Sequence, residues 1–164
     1  MHLALIALAI GIIAGLRAMM PLAAVAWAAR TGHLPLSGTH LAWLGNAWVP
    51  WIFTSLAIIE LYNDKLPKTP SRLIPPQFIT RVVTGSLAGA AIGYGLGCPW
   101  QGTNCGSMGI LVGALCGAIG AILGTLGGAR ARGALAKAFG KDLPAALIED
   151  LVAIVGSYLI ITHI

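Results

Sequence analysis

Glu60 and Asp64 stand four residues apart, which places both carboxylates on one face of a helix. Like charges at that spacing repel unless a cation, a proton or a basic side chain sits between them, so the pair is suited to holding or passing a small ion or proton. Arg17 lies inside the apolar run Ile10–Met20 and supplies the opposite sign. Lys65 follows Asp64, Glu149 and Asp150 form a second acidic pair, and Arg81 and Arg130 are further counter-charges. Placing a charge mid-membrane costs at least about 2.5–3.5 kcal/mol. A chain that keeps charges in such segments uses them, either to clamp helices together or to handle a ligand.

The surrounding composition sets the class. The 164 residues are 57% hydrophobic and 9% charged, whereas soluble domains carry about 25% charged residues. That leaves too little polar surface to cover a water-soluble globule, and the expectation is an all-α, polytopic membrane bundle forming a single domain. The net charge of +5 then concerns orientation, because the basic residues gather in two short segments rather than a stripe. No nucleic-acid partner is expected.

A span needs roughly 20 mainly apolar residues. Five candidates follow: His2–Ala29, with Pro21 as a possible kink, Leu41–Tyr62, Phe78–Gly97, Met108–Ala129 and Leu143–Ile164. A cleaved leader is disfavoured, since the basic n-region is missing and the apolar run continues past Arg17. Lys65, Lys68, Arg72 and Arg81 fall in or beside the second connection, and Arg130, Arg132, Lys137 and Lys141 in the fourth. The positive-inside rule makes that side cytoplasmic, so the expected topology is N-in, C-out, in a bacterial-type inner membrane. Trp27, Trp43, Trp48, Trp51 and Trp100 all fall on the opposite side, where indoles favour the interface.

At about 1.5 Å per residue, Arg17 lies roughly 15 Å below Trp27, and Glu60 roughly 13–18 Å below Trp51 and Trp48. Both depths are near the middle of a hydrocarbon core about 30 Å thick. Opposite charges at matching depth on consecutive antiparallel spans predict an Arg17–Glu60 pair.

Small residues at four-residue spacing let helix backbones approach closely in lipid. Gly85, Gly89, Gly93 and Gly97 form one such ladder, Gly109, Gly113 and Gly117 a second, and Gly120, Gly124 and Gly128 a third on an adjacent line. Together they predict a tight antiparallel hairpin of spans three and four, ahead of a pore lining or a contact between copies. Cys98 and Cys105 bracket an outward loop; they would close a small disulfide ring in an oxidising compartment, and two free thiols are equally compatible with the spacing. Cys116 is a small packing residue in mid-span. His2, His33, His40 and His163 are scattered near ends and loops, so no metal site and no cofactor is expected. Two short strings recur, Gly15-Leu-Arg17 as Gly128-Ala-Arg130 and Ala57-Ile-Ile-Glu60 as Ala146-Leu-Ile-Glu149. Their depths do not match, and Gly and Ala strings recur easily, so the echo does not establish an inverted repeat.

Gly15-Leu16-Arg17, Pro21-Leu22, Ala28-Ala29-Arg30-Thr31-Gly32-His33, Ala42-Trp43-Leu44 and Glu60-x-x-x-Asp64-Lys65-x-Pro67 carry a resemblance. With them the chain resembles an uncharacterised membrane family, domain of unknown function 4126. The motifs cover the first half densely, and the glycine-rich helices and length fit the rest. The resemblance implies a small polytopic membrane protein with no established activity, and it makes Arg17, Glu60, Asp64 and Lys65 part of the family pattern. Glu149 and Asp150 rest on this sequence alone.

Two functions compete. One is a small transporter or channel, homo-oligomeric in the bilayer, with a pathway through Arg17, Glu60, Asp64, Lys65, Glu149 and Asp150. The other is a non-transporting structural or assembly protein in which Arg17–Glu60 is a buried clamp. An enzyme is not expected, because no nucleophile–base or metal constellation is recognisable.

Overall fold

The computed structural model describes residues 2–64, 74–97 and 105–164. The regular elements there are helices: α1 His2–Leu16, α2 Met19–Thr31, α3 Val49–Asn63, α4 Pro75–Gly95, α5 Cys105–Phe139 and α6 Asp142–Thr162. A single 3-10 turn, Ala42–Gly45, lies between α2 and α3.

The expected first span is two helices running in opposite directions. Ala14 of α1 approaches Gly85 and Ile13 approaches Gly156, while Arg17 reaches Asp150, so α1 descends where α4 and α6 rise. From the bend at Arg17 and Ala18, α2 climbs back. Its start meets Glu60, Trp27 reaches Thr54 of α3, and Leu34, just beyond its end, lies against Gly95 of α4. Pro21 is compatible with the break: it has no N–H to donate to the Arg17 carbonyl, which weakens a continuous helix there, whereas proline is well placed in the first turn of a new one.

This extra reversal corrects the topology. The N-terminus of α1 and the C-terminus of α6 lie at the same end of the molecule, so N-in, C-out does not describe the chain. The other expected boundaries shift as well. Leu41–Trp48 holds only the short 3-10 turn, and its one buried residue, Leu44, packs with Leu34 and Leu36 of the same connection against Leu22, Val25 and Ala28 of α2 and Ala88, Ala91 and Ile92 of α4. The fourth candidate runs ten residues further than expected, to Phe139, where Gly140 at φ +67° turns the chain into α6. Two described helices, α5 and α6, are long and apolar enough to cross a membrane, and α1 is apolar but shorter.

At the shared end, Trp27 and Trp51 meet edge to face with centroids 5.1 Å apart, and the Trp27 indole donates to Thr54 Oγ1 at 3.1 Å. Trp43 stacks obliquely on Phe53. Trp100 lies outside the described residues.

Backbone-to-backbone contact of α1, α4 and α5 forms the frame that positions the site. Gly85, Gly89 and Gly93 of α4 face Gly117, Gly113 and Gly109 of α5 in antiparallel register. Gly120 and Gly124 face α1 instead, against Leu8 and Ile12, and Gly11 and Gly15 of α1 reciprocate. Gly128 is buried. Gly97, at φ +66°, has open space around it and belongs to the end of α4 rather than to the ladder. The exterior is apolar, with Leu111, Leu115 and Ile119 of α5, Leu151 and Leu159 of α6 and Ile52 and Ile58 of α3 turned outward. Arg17, Arg81, Glu149 and Asp150 are buried.

Candidate functional site

The bend between α1 and α2 exposes two helix ends of opposite polarity at one point. A helix C-terminus presents carbonyls without intrahelical partners, and an N-terminus presents free N–H groups; their partial charges are about half an elementary charge each. Each end meets a side chain of the complementary sign. The Arg81 Nη1 donates to Gly15 O at 2.6 Å and to Leu16 O at 2.5 Å, closing the end of α1. The Glu60 carboxylate accepts from the N–H of Ala18 at 2.8 Å and of Met19 at 2.9 Å, closing the start of α2. Arg81 Nη2 and Glu60 Oε1 are 3.8 Å apart. Thr125 of α5 adds a longer bond to Gly15 O at 3.3 Å while bonding its own helix at Ala121 O.

Arg17 and Glu60 do share a level, but they are not partners. Arg17 is the residue of the bend itself, 1% exposed, and its guanidinium lies 2.9 Å from Asp64 and in ion contact with Asp150. Glu60 faces the hairpin tip and α4. Depth along an antiparallel pair brings two residues to one plane and leaves their azimuth open, and the broken helix turns Arg17 toward α6. The expected Arg17–Glu60 pair is therefore replaced by two separate sets of contacts.

Arg132 ties the remainder together. It contacts Asp64, donates to Asp142 Oδ2 at 2.6 Å and Oδ1 at 3.0 Å, and lies 3.7 Å from Glu149. The chain has five acidic residues, and all five, Glu60, Asp64, Asp142, Glu149 and Asp150, pair with these three arginines. Of the expected pathway residues, Lys65 lies outside the described residues, as do Cys98 and the Cys105 side chain. Arg130, expected as a counter-charge, is exposed, and Arg132 rather than Arg130 pairs with the acidic residues. The echo fails at helix level too, since α5 is continuous where α1 and α2 are broken.

Three cluster members were not among the sequence candidates for the pathway: Arg81, Arg132 and Asp142. A signal for Arg81 was present. Pro75 and Pro76 mark a helix start, so Arg81 stands roughly 9 Å inside α4 and not in the connection. Arg132 had none, because its place depends on α5 running past the apolar segment.

One face of the tip opens. A cleft of about 390 Å³ between α3 and α4 is lined by Ala18, Met19, Glu60, Asp64, Thr80 and Arg81 among others. Arg17 does not line it. The cleft therefore offers water or a solute the Glu60 and Asp64 side chains, a helix N-terminus and one guanidinium. Among the described residues no His, Cys, Asp and Glu grouping fits a metal ion.

The caps predict a graded response in thermal unfolding of the purified protein. Arg81→Gln loses two charge-assisted bonds to buried carbonyls and costs about 2–3 kcal/mol. Thr125→Val, which removes one long bond and one within the helix, costs about 1 kcal/mol or less. Equal losses for the two variants would contradict Arg81 as the main cap of α1.

A family model described as a domain of unknown function, DUF4126, matches residues 4–163. No curated protein and no solved structure matches the chain.

Proposed function

The chain belongs to the DUF4126 family, and from that premise we propose that it is a small multi-pass inner-membrane protein that carries a small ion or solute past the α1–α2 tip. Glu60 is the group that responds to the ion or proton. The supporting observation is the pairing of a broken hairpin with an open cleft: Glu60 sits on free helix N–H groups and lines a space of about 390 Å³. Irregular backbone at membrane depth is tolerated only where protein buries it or it lines a cavity. Half-helix ends at such a break are where transporters bind their cargo.

The helix lengths support this placement. With 15 and 13 residues, α1 and α2 are each roughly 20 Å long, short of a core about 30 Å thick. Arg81 and Asp150 stand six and eight residues inside α4 and α6, roughly 9–12 Å from the ends that carry Lys137 and Lys141. The hairpin thus enters from the tryptophan side and turns back inside the bilayer. On the positive-inside rule the basic end is cytoplasmic and both described termini face outward. An apolar exterior around buried charges fits lipid rather than water.

The experiment is flux in proteoliposomes. Glu60→Gln keeps an acceptor for one tip N–H and turns its amide nitrogen toward the other, so stability falls by about 1–2 kcal/mol while the charge facing the cleft is lost. Flux of the transported ion or proton falls, with helicity retained. Unchanged transport of every ion and proton tried would sink the reading. A second reading, a non-transporting assembly protein, is favoured by one observation: Arg17 is fully buried between Asp64 and Asp150 and away from the cleft.

A further inference from the structure

A second cleft, of about 510 Å³, runs between α2, α3 and α6 on the side of α3 away from the charged one. We infer that it holds one acyl chain of a phospholipid from the leaflet on the tryptophan side; this rests on the membrane placement proposed above.

The shape is built by small residues. Ala23, Ala28, Ala57 and Ser157, all buried, form the floor. The rims are large and exposed, among them Ile58 and Tyr158. The Ser157 hydroxyl has no hydrogen-bond partner among the described residues, so the residue contributes space rather than a bond.

Polarity along the cleft is one-sided. Thr31, His33, Tyr158 and Thr162 gather at its mouth, where Thr31 Oγ1 and His33 Nδ1 are 2.8 Å apart. Met20, Leu61 and Ile154 line the far end. From Met20 to Thr31 is eleven residues, roughly 16 Å, which is about half the hydrocarbon thickness and so one leaflet deep. A polar mouth at the interface above an apolar channel one leaflet deep matches a phospholipid, with headgroup outside and chain within.

The cross-section argues against a helix of a second copy. The volume spread over that length gives roughly 30 Å², under half the section of a helix about 10 Å across. An extended hydrocarbon chain fits where a helix does not.

The test uses the whole protein in phosphatidylethanolamine–phosphatidylglycerol vesicles doped with phosphatidylethanolamine carrying a diazirine in its acyl chain. After illumination, adducts are mapped by mass spectrometry. Adducts should concentrate on Ala23–Ala28 and Ile154–Ile161, above the level at Leu123, an outward-facing position of α5. They should survive detergent exchange before illumination, when those at Leu123 vanish. Ala24→Trp, at a partly exposed lining position, should reduce the cleft adducts to background. Equal labelling of cleft and Leu123, or cleft peptides cross-linked to a second copy, would overturn the inference and leave the membrane placement standing. No labelling anywhere would overturn both.

Discussion

Arg17→Met is expected to unfold or strongly destabilise the protein, by about 3–5 kcal/mol, the usual cost of removing one partner from a buried ion pair. Methionine matches the length of the aliphatic stem, so the loss isolates the charge. The guanidinium is 1% exposed and stands between Asp64 on α3 and Asp150 on α6. Without it Asp150, buried on α6, loses this ion pair, and Asp64 keeps Arg132 but loses its link to the bend. The bend then loses the cation that fixes it to both helices. Thermal unfolding in detergent measures the loss, and a variant within about 1 kcal/mol of the parent would contradict a buried clamp.

The same geometry says which compensation restores the fold. Exchanging charges between Arg17 and Glu60 fails, because the two do not touch and Glu60 is committed to the Ala18 and Met19 N–H groups. Placing an acid at 17 and a base at 60 would set a positive charge against the positive end of α2. Exchanging Arg17 and Asp150 retains one charge of each sign between α1 and α6. Arg17→Asp with Asp150→Arg should therefore recover part of the stability that either single change loses. The partition also separates two roles that charge and depth alone merge. Arg17 holds the hairpin in place, and Glu60 faces the cleft.

How much of this was legible in the sequence depends on which coordinate is asked for. Level along the bundle was readable, because helical rise is constant and the tryptophans mark one end. Glu60 and Ala18 do lie at one height. Facing was not, because it depends on where a helix breaks. Pro21 was visible, but a proline in an apolar run signals a kink or a new start equally well. Only the tertiary frame turns the chain through a reversal, and with that reversal the end on which the N-terminus lies. The apolar stretch Leu41–Trp48 misled for a related reason. Hydrophobicity reports burial, and Leu44 is fully buried in a loop. The α4–α5 register, by contrast, could be drawn from spacing alone, since glycines every fourth residue on adjacent helices admit few antiparallel alignments.

Gly89→Val is expected to match Arg17→Met in severity, through packing instead of charge. A Cβ at Gly89 would overlap the Gly113 carbonyl oxygen and lie 3.0 Å from Gly117 Cα and 3.1 Å from the Gly113 carbonyl carbon. Each of these neighbours is backbone, so none can rotate away, and α4 must separate from α5. Gly113 lies opposite with the same constraint, its own Cβ 2.9 Å from Gly93 Cα and from the Gly89 carbonyl carbon. Overpacking costs about 1–3 kcal/mol in cores that can adjust; here two backbones must move, and about 3 kcal/mol or more is expected. On the membrane placement proposed above, lipid solvates apolar surface as well as protein does, so the cost is the lost packing itself. Gly127→Ala on α5 is the control. Nothing lies within 4 Å of a Cβ there, so the substitution only removes helix-interior backbone freedom and should be neutral or stabilise by about 0.5–1 kcal/mol. The two variants change the same residue type on neighbouring helices in opposite directions. If both shift the unfolding temperature alike, close approach of α4 and α5 is not what holds the frame beneath the Glu60 cleft.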